Sequence, residues 1–94
     1  MDEIKISHRI FHGHTIELVK GKLLLIQGDK GMLGCGYFNV ATADKLDSRL
    51  AVVTGVGSYD DMLNAEVKSV SAAAAKAGVR PGMSGQDALL VMEK

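Results

Sequence analysis

Near the middle of this 94-residue chain the spacing of its apolar residues changes. In the first part they alternate or run in short blocks cut by glycine. Ile16 and Leu18 alternate with Thr15 and Glu17, Gly21 breaks the run, and residues 22–27 follow as a more continuous apolar block. Alternation has the period of a half-buried strand, and the continuous block suits a strand covered on both faces. The stretch "GDKG" at 28–31 is a turn signal, and a third strand is expected through Tyr37 and Phe38. Residues 4–11, with Ile4, Ile6, Ile10 and Phe11, read as a further strand. Together these predict an antiparallel meander.

Beyond residue 38 the apolar positions recur every three or four residues, and polar capping residues precede them. Asn39 is placed to cap a helix over about 40–49, with Val40, Ala43 and Leu46 on one side. "LAVVTGVG" at 50–57 reads as a short buried strand. Ser58 with Asp61, and Ser84 with Asp87, are capping-box patterns that open two helices, the second running to about Met92. Val67, Val70, Ala74 and Ala77 predict a helix over about 65–77, stopped by Gly78 with Pro81 beyond. The fold class is therefore α+β: an N-terminal antiparallel β meander followed by helices and one or two further strands. The chain is expected to form a single domain, 1–94, mainly β over 1–38 and mixed, mainly helical, over 39–94.

A chain of this length buries a modest core, and it has four aromatic residues, Phe11, Tyr37, Phe38 and Tyr59. Covering an apolar strand face with another copy of the chain would add burial, so a homo-oligomer is expected. Eleven basic and eleven acidic side chains cancel without clustering, which gives no footprint for nucleic acid. The apolar run Leu23–Ile26 is far too short to cross a bilayer. The N-terminal "MDEIK" lacks the layout of a signal peptide. The one cysteine cannot form an internal disulfide, and a cytoplasmic location is expected.

Three stretches, "GMLGCGYFNV" at 31–40, "VVTGVGSYDDMLNAEVKSVSAAAAKAGV" at 52–79 and "GMSGQDALLVM" at 82–92, resemble the YunC-like family in order and spacing. This is a small bacterial and archaeal domain of unknown function, and the resemblance spans roughly residues 14–92. It implies an N-terminal β region, here 1–38, that mediates tetramer formation, and it brings no assigned catalytic residues. Gly34 stands where the family pattern has a larger apolar residue, often Met.

Cys35 is the first candidate for chemistry. A thiol reacts as its thiolate, which needs a cation, an imidazole or a helix N-terminus nearby, together with access. Strand alternation puts Cys35 on the face of Leu33, which favours burial as a small hydrophobe; the alternative is a nucleophile. Gly36 beside it, "GVGS" at 55–58 (Gly55, Gly57, Ser58) and "GMSG" at 82–85 (Gly82, Ser84, Gly85) are ligand-binding candidates, because glycines at a helix start let an anion approach free N–H groups. Capping is the competing use of both serines. Asp60 and Asp61, adjacent carboxylates, fit the first turn of a helix. His12 and His14 share a strand face, joined by His8 if the strand is unbroken, and two imidazoles could meet zinc. No Cys or carboxylate nearby in sequence completes a tetrahedral set, so exposed polar positions are expected, with no metal and no cofactor. Two functional classes follow: a homo-oligomeric assembly or small-ligand-binding module, and a Cys-dependent enzyme using Cys35 as nucleophile on a small molecule.

Overall fold

Two tight hairpins set the register of the N-terminal sheet. The computed structural model describes residues 2–94. β1 (Asp2–Ile6) pairs antiparallel with β2 (Arg9–Leu18), β2 with β3 (Gly21–Gln27), and β3 with β4 (Gly31–Gly34). The expected strand over 4–11 is thus two strands. Ile6 pairs with Arg9 across a two-residue turn in which Ser7 takes a φ of 57°. Positive φ is what so short a hairpin asks of its turn, and neither glycine nor proline marks it in the sequence.

After β4 the chain crosses over through α1 (Val40–Lys45) and returns as β5 (Arg49–Val52), parallel to β4. Next come α2 (Tyr59–Asn64), the two-residue β6 (Ser69–Val70) antiparallel to β5, α3 (Ala72–Ala77) and α4 (Gly85–Met92). The six strands lie side by side in chain order, so one sheet joins the two halves of the chain. The α+β reading holds. Several boundaries differ from expectation. β4 ends at Gly34, not at Phe38, and α1 ends at Lys45 with its cap at Leu46. The strand expected over 50–57 is Arg49–Val52. The helix expected over 65–77 is α3 alone, preceded by β6 and capped by Ser71, whose hydroxyl accepts from the Ala74 N–H.

The sheet has two unlike faces. One is covered by α2, α3 and α4 and holds the main core, with Phe11, Ile26, Leu33, Met62, Val79, Leu89 and Met92 at most 1% exposed. Each such side chain contributes roughly 1.5–3 kcal/mol by leaving water. Close approach is built in at Gly85. A Cβ there would collide with the Met62 carbonyl and stand 2.8 Å from Leu33 Cδ2, so α4 rests directly on the end of α2.

α1 packs on the other face over β4 and β5, where Ala43, Leu50 and Val52 form a second, smaller core with Met32, Phe38 and Val40. Gly34 belongs here. A Cβ on it would lie 2.5 Å from Phe38 Cδ2, so the Phe38 ring fills the space a larger side chain would take. Over β1–β3 none of the helices covers this second face among the described residues. Residues paired across strands share a face, and the register puts Ile10, His12, His14, Ile16 and Leu18 of β2 beside Leu23, Leu25 and Gln27 of β3 and Glu3 and Lys5 of β1. Ile10, Ile16 and Leu18 are 57%, 55% and 37% exposed, and Leu46 at the end of α1 is 71% exposed. β3 is therefore covered on one face only in the protomer, against expectation: Leu24 and Ile26 are buried while Leu23 and Leu25 are half-buried.

Candidate functional site

Cys35 is the first residue past β4, and it ends the strand. Its N–H donates to the Leu24 carbonyl at 3.1 Å, as the next rung of the ladder would. Its carbonyl turns away and accepts from the Phe38 N–H at 3.0 Å. The Leu24 N–H, left without that acceptor, donates to Cys35 Sγ at 3.3 Å. Sulfur therefore stands in for a backbone carbonyl at the point where the chain leaves the sheet. The residue is 4% exposed and belongs to the main core, on the face of Leu33 as alternation predicts.

A cleft of ≈ 260 Å³ opens beside it, lined by Lys22, Cys35, Gly36, Tyr37, Gly55 and Val56. Three of the residues singled out in the sequence, Cys35, Gly36 and Gly55, are thus brought together from two distant stretches. Gly55 has a φ of 70°, which favours glycine for backbone reasons alone. Gly36 differs: a Cβ there would meet Thr54 Cγ2 at an ordinary 3.6 Å, so neither packing nor φ excludes a side chain. Lys22, Tyr37 and Val56 complete the lining without any local signal. The Tyr37 hydroxyl donates to the Lys20 carbonyl at 3.4 Å. No imidazole or carboxylate is part of the lining.

The other candidates lie elsewhere and have structural partners. Ser58 Oγ accepts from the Asp61 N–H and Ser84 Oγ from the Asp87 N–H, both at 3.1 Å, so both serines cap helices. Asp61 returns the contact by accepting from the Gly57 N–H at 3.0 Å, and Asp60 shares the first turn of α2 with it. Gly82 has a φ of 96° and donates its N–H to the Val67 carbonyl. Gly85 is the close-packing position between α2 and α4. None of Gly57, Ser58, Gly82, Ser84 and Gly85 lines the cleft at Cys35.

His12 and His14 share the open face of β2, as their spacing requires, on the opposite side of the sheet from Cys35. His8 falls in the β1–β2 turn instead. His14 Nε2 and Gln27 Oε1 are 3.1 Å apart, while His12 Nδ1 is buried with no hydrogen-bond partner among the described residues. Among the described residues, no three His, Cys, Asp or Glu side chains are grouped as metal ligands would be.

Two polar contacts were not foreseen. Glu93 is 5% exposed, and its carboxylate accepts from the N–H groups of Asp29, Lys30 and Gly31 at 2.9, 2.9 and 3.1 Å. The turn after β3 is thus a small anion nest filled by the end of the same chain. Tyr59 lays its ring over Gly13, where a Cβ would lie 2.6 Å from Cζ, and its hydroxyl is 2.7 Å from Thr15 Oγ1. Burial raises the Tyr59 pKa above its ordinary value; the Thr15 bond opposes this, and Asp2 adds to it.

Among the described residues, no helix is long and apolar enough to cross a membrane. The chain is 37% identical over 95 aligned residues to a Bacillus subtilis protein, "Uncharacterized protein YunC", covering 97% of this chain and 94% of that one. A crystal structure of TA1206, a protein of unknown function from Thermoplasma acidophilum, superposes with a TM-score of 0.92 at 34% identity, covering 97% of this chain and 89% of that one. Residues 34–92, from the glycine before Cys35 to the last residue of α4, match the profile of a family described as "Domain of unknown function (DUF1805)", and the chain belongs to that family.

Proposed function

We propose that this protein is a cytoplasmic self-assembling module, a homotetramer as the family resemblance implies, whose copies meet on the open face of β1–β3. One observation carries the reading. The other face of the same sheet is closed by three helices, while on this one Ile16 and Leu18 stand exposed beside half-buried Leu23 and Leu25, and Ile10 is exposed at the far end of the same row. Scattered exposed apolar residues need no explanation, but a contiguous patch on a small domain marks a contact surface. β1, β2 and β3 are about 17, 33 and 23 Å long at a spacing of about 4.8 Å, so two such faces cover on the order of 700 Å², the size of a weak or transient interface. A second copy fits this face. Glu3 and Lys5 give its β1 rim one charge of each sign, so a twofold axis can set each opposite its complement. A cytoplasmic site suits a chain whose single cysteine is free and buried.

The cleft at Cys35 is the place for a small ligand in this reading. Gly36 supports it, because nothing in the protein occupies or forbids the space a side chain would fill there. Cys35 itself ends a strand and packs; a nucleophile needs an exposed thiolate, and this sulfur is buried under the Leu24 N–H. The assembly is tested by light scattering on size-separated protein. Wild type is expected to elute at a multiple of the 10.0 kDa chain mass, and Ile16→Lys as a single chain with an unchanged circular dichroism spectrum. A monomeric wild type at tens of micromolar sinks the reading.

A further inference from the structure

We propose that His12 and His14 make the assembly pH-sensitive, holding it together near neutral pH and releasing it in mild acid. This rests on the proposed meeting of copies on the open face. Both imidazoles lie at the middle of that face, with Ile10 on one side of them along β2 and Ile16 on the other. A second copy seated on these isoleucines covers the imidazoles too.

Among the described residues, the surroundings offer a protonated ring one carboxylate, that of Glu3 on the edge strand. His12 Nδ1 is already buried and has no partner among the described residues. A neutral imidazole can leave one nitrogen as an unused acceptor, whereas an imidazolium carries two donors and a charge. His14 shares its Nε2 with Gln27 Oε1. On β3 the residues facing the pair are Gln27, Leu25 and Leu23, none of which ionises. On β1 the facing charges among the described residues are Glu3, directly across from His12, and Lys5, across from Ile10. Glu3 is exposed on the edge strand and can meet an imidazolium in the open protomer. Lys5 opposes the same proton.

The sign follows. Covering the face disfavours the charged rings, so the covered state binds fewer protons than the open one. Assembly is then at full strength above the ordinary imidazole range and weakens as pH falls through it, between about pH 8 and pH 5. The association constant is expected to fall by about tenfold or more across that window.

Sedimentation velocity on the full chain at several concentrations, near pH 8 and near pH 5.5, tests this, with circular dichroism recorded at each pH. Wild type is expected to be assembled at the higher pH and to dissociate, still folded, at the lower. His12→Gln/His14→Gln, neutral at both, is expected to stay assembled at both; the two single variants serve if the double variant does not fold. Wild type that stays assembled in acid overturns the switch and leaves the assembly standing. Variants that dissociate in acid as wild type does also overturn it, by assigning the proton to other groups. Wild type that is monomeric at the higher pH removes the assembly and the switch with it.

Discussion

Glu93 ties the last residues of the chain to the turn after β3. Three backbone N–H groups converge on one buried carboxylate, and Arg49 reaches the same end of the chain, donating to the carbonyls of Met92 and Lys94. Removing the acceptor strands three donors, of which that of Gly31 is buried and those of Asp29 and Lys30 are part-buried, and charged hydrogen bonds are the stronger kind. Glu93→Ala is therefore expected to lower unfolding stability by about 2–4 kcal/mol in urea melts, with Glu93→Gln between it and wild type. A loss under about 0.5 kcal/mol would show that water takes over the nest. Nothing local in the sequence announces this contact, since 62 residues separate Glu93 from Gly31. Cys35 is the opposite case. Alternation from Leu33 was enough to place it inside, because burial on a strand is a local property. Its use as a stand-in carbonyl for Leu24 depends on where the strand ends, which alternation does not report.

At the scale of elements, the sequence marks helix starts better than strand ends. Ser58, Ser84 and Asn39 all cap as their spacing predicts, since a cap needs only the next three residues. The segment 65–77 misleads for a physical reason. Val67 and Val70 are spaced as on a helix, but Val67 is buried in an extended stretch and Val70 pairs with Ala51 in β6. The helix begins only where Ser71 supplies a cap, and that buried hydroxyl also accepts from the Leu50 N–H and donates to the Ser48 carbonyl. Pairing with β5 overrides local helix preference, as tertiary contacts do for short segments. The attachment of α2 to β2 was equally invisible, because Tyr59 and Thr15 are 44 residues apart. It has a titration signature. Burial holds the Tyr59 hydroxyl neutral in the folded protein above its ordinary pKa, with Asp2 adding to the effect. A raised folded pKa means a contribution present below the unfolded value, near pH 10, and lost as pH climbs through the folded one. Wild type is thus expected to lose stability more steeply above about pH 10 than Tyr59→Phe. Parallel denaturation curves for the two proteins across that range count against the assignment.

The whole molecule is a single sheet with one closed face and one half-open face, and that asymmetry bears on its stability. The N-terminal strands contribute Phe11, Leu24 and Ile26 to the closed side, so they are part of the core and not an appendage to it. Their other side carries Ile10, Ile16 and Leu18, all exposed among the described residues. A domain of this size has little stability to spare, and covering that side couples folding to association. Thermal unfolding then depends on concentration. Each tenfold rise in protein adds about 0.7 kcal/mol per protomer for a dimer and about 1 kcal/mol for a tetramer, by mass action. For a chain of about a hundred residues this is roughly 3–8 °C in the midpoint. Calorimetry over two decades of concentration at a pH above the imidazole range is expected to show that climb for wild type. Ile16→Lys, with a charge on the open face, is expected to melt lower and at a midpoint independent of concentration. A flat wild-type midpoint would mean that the open face stays in water while the fold melts, and that three strands' worth of apolar surface is tolerated bare.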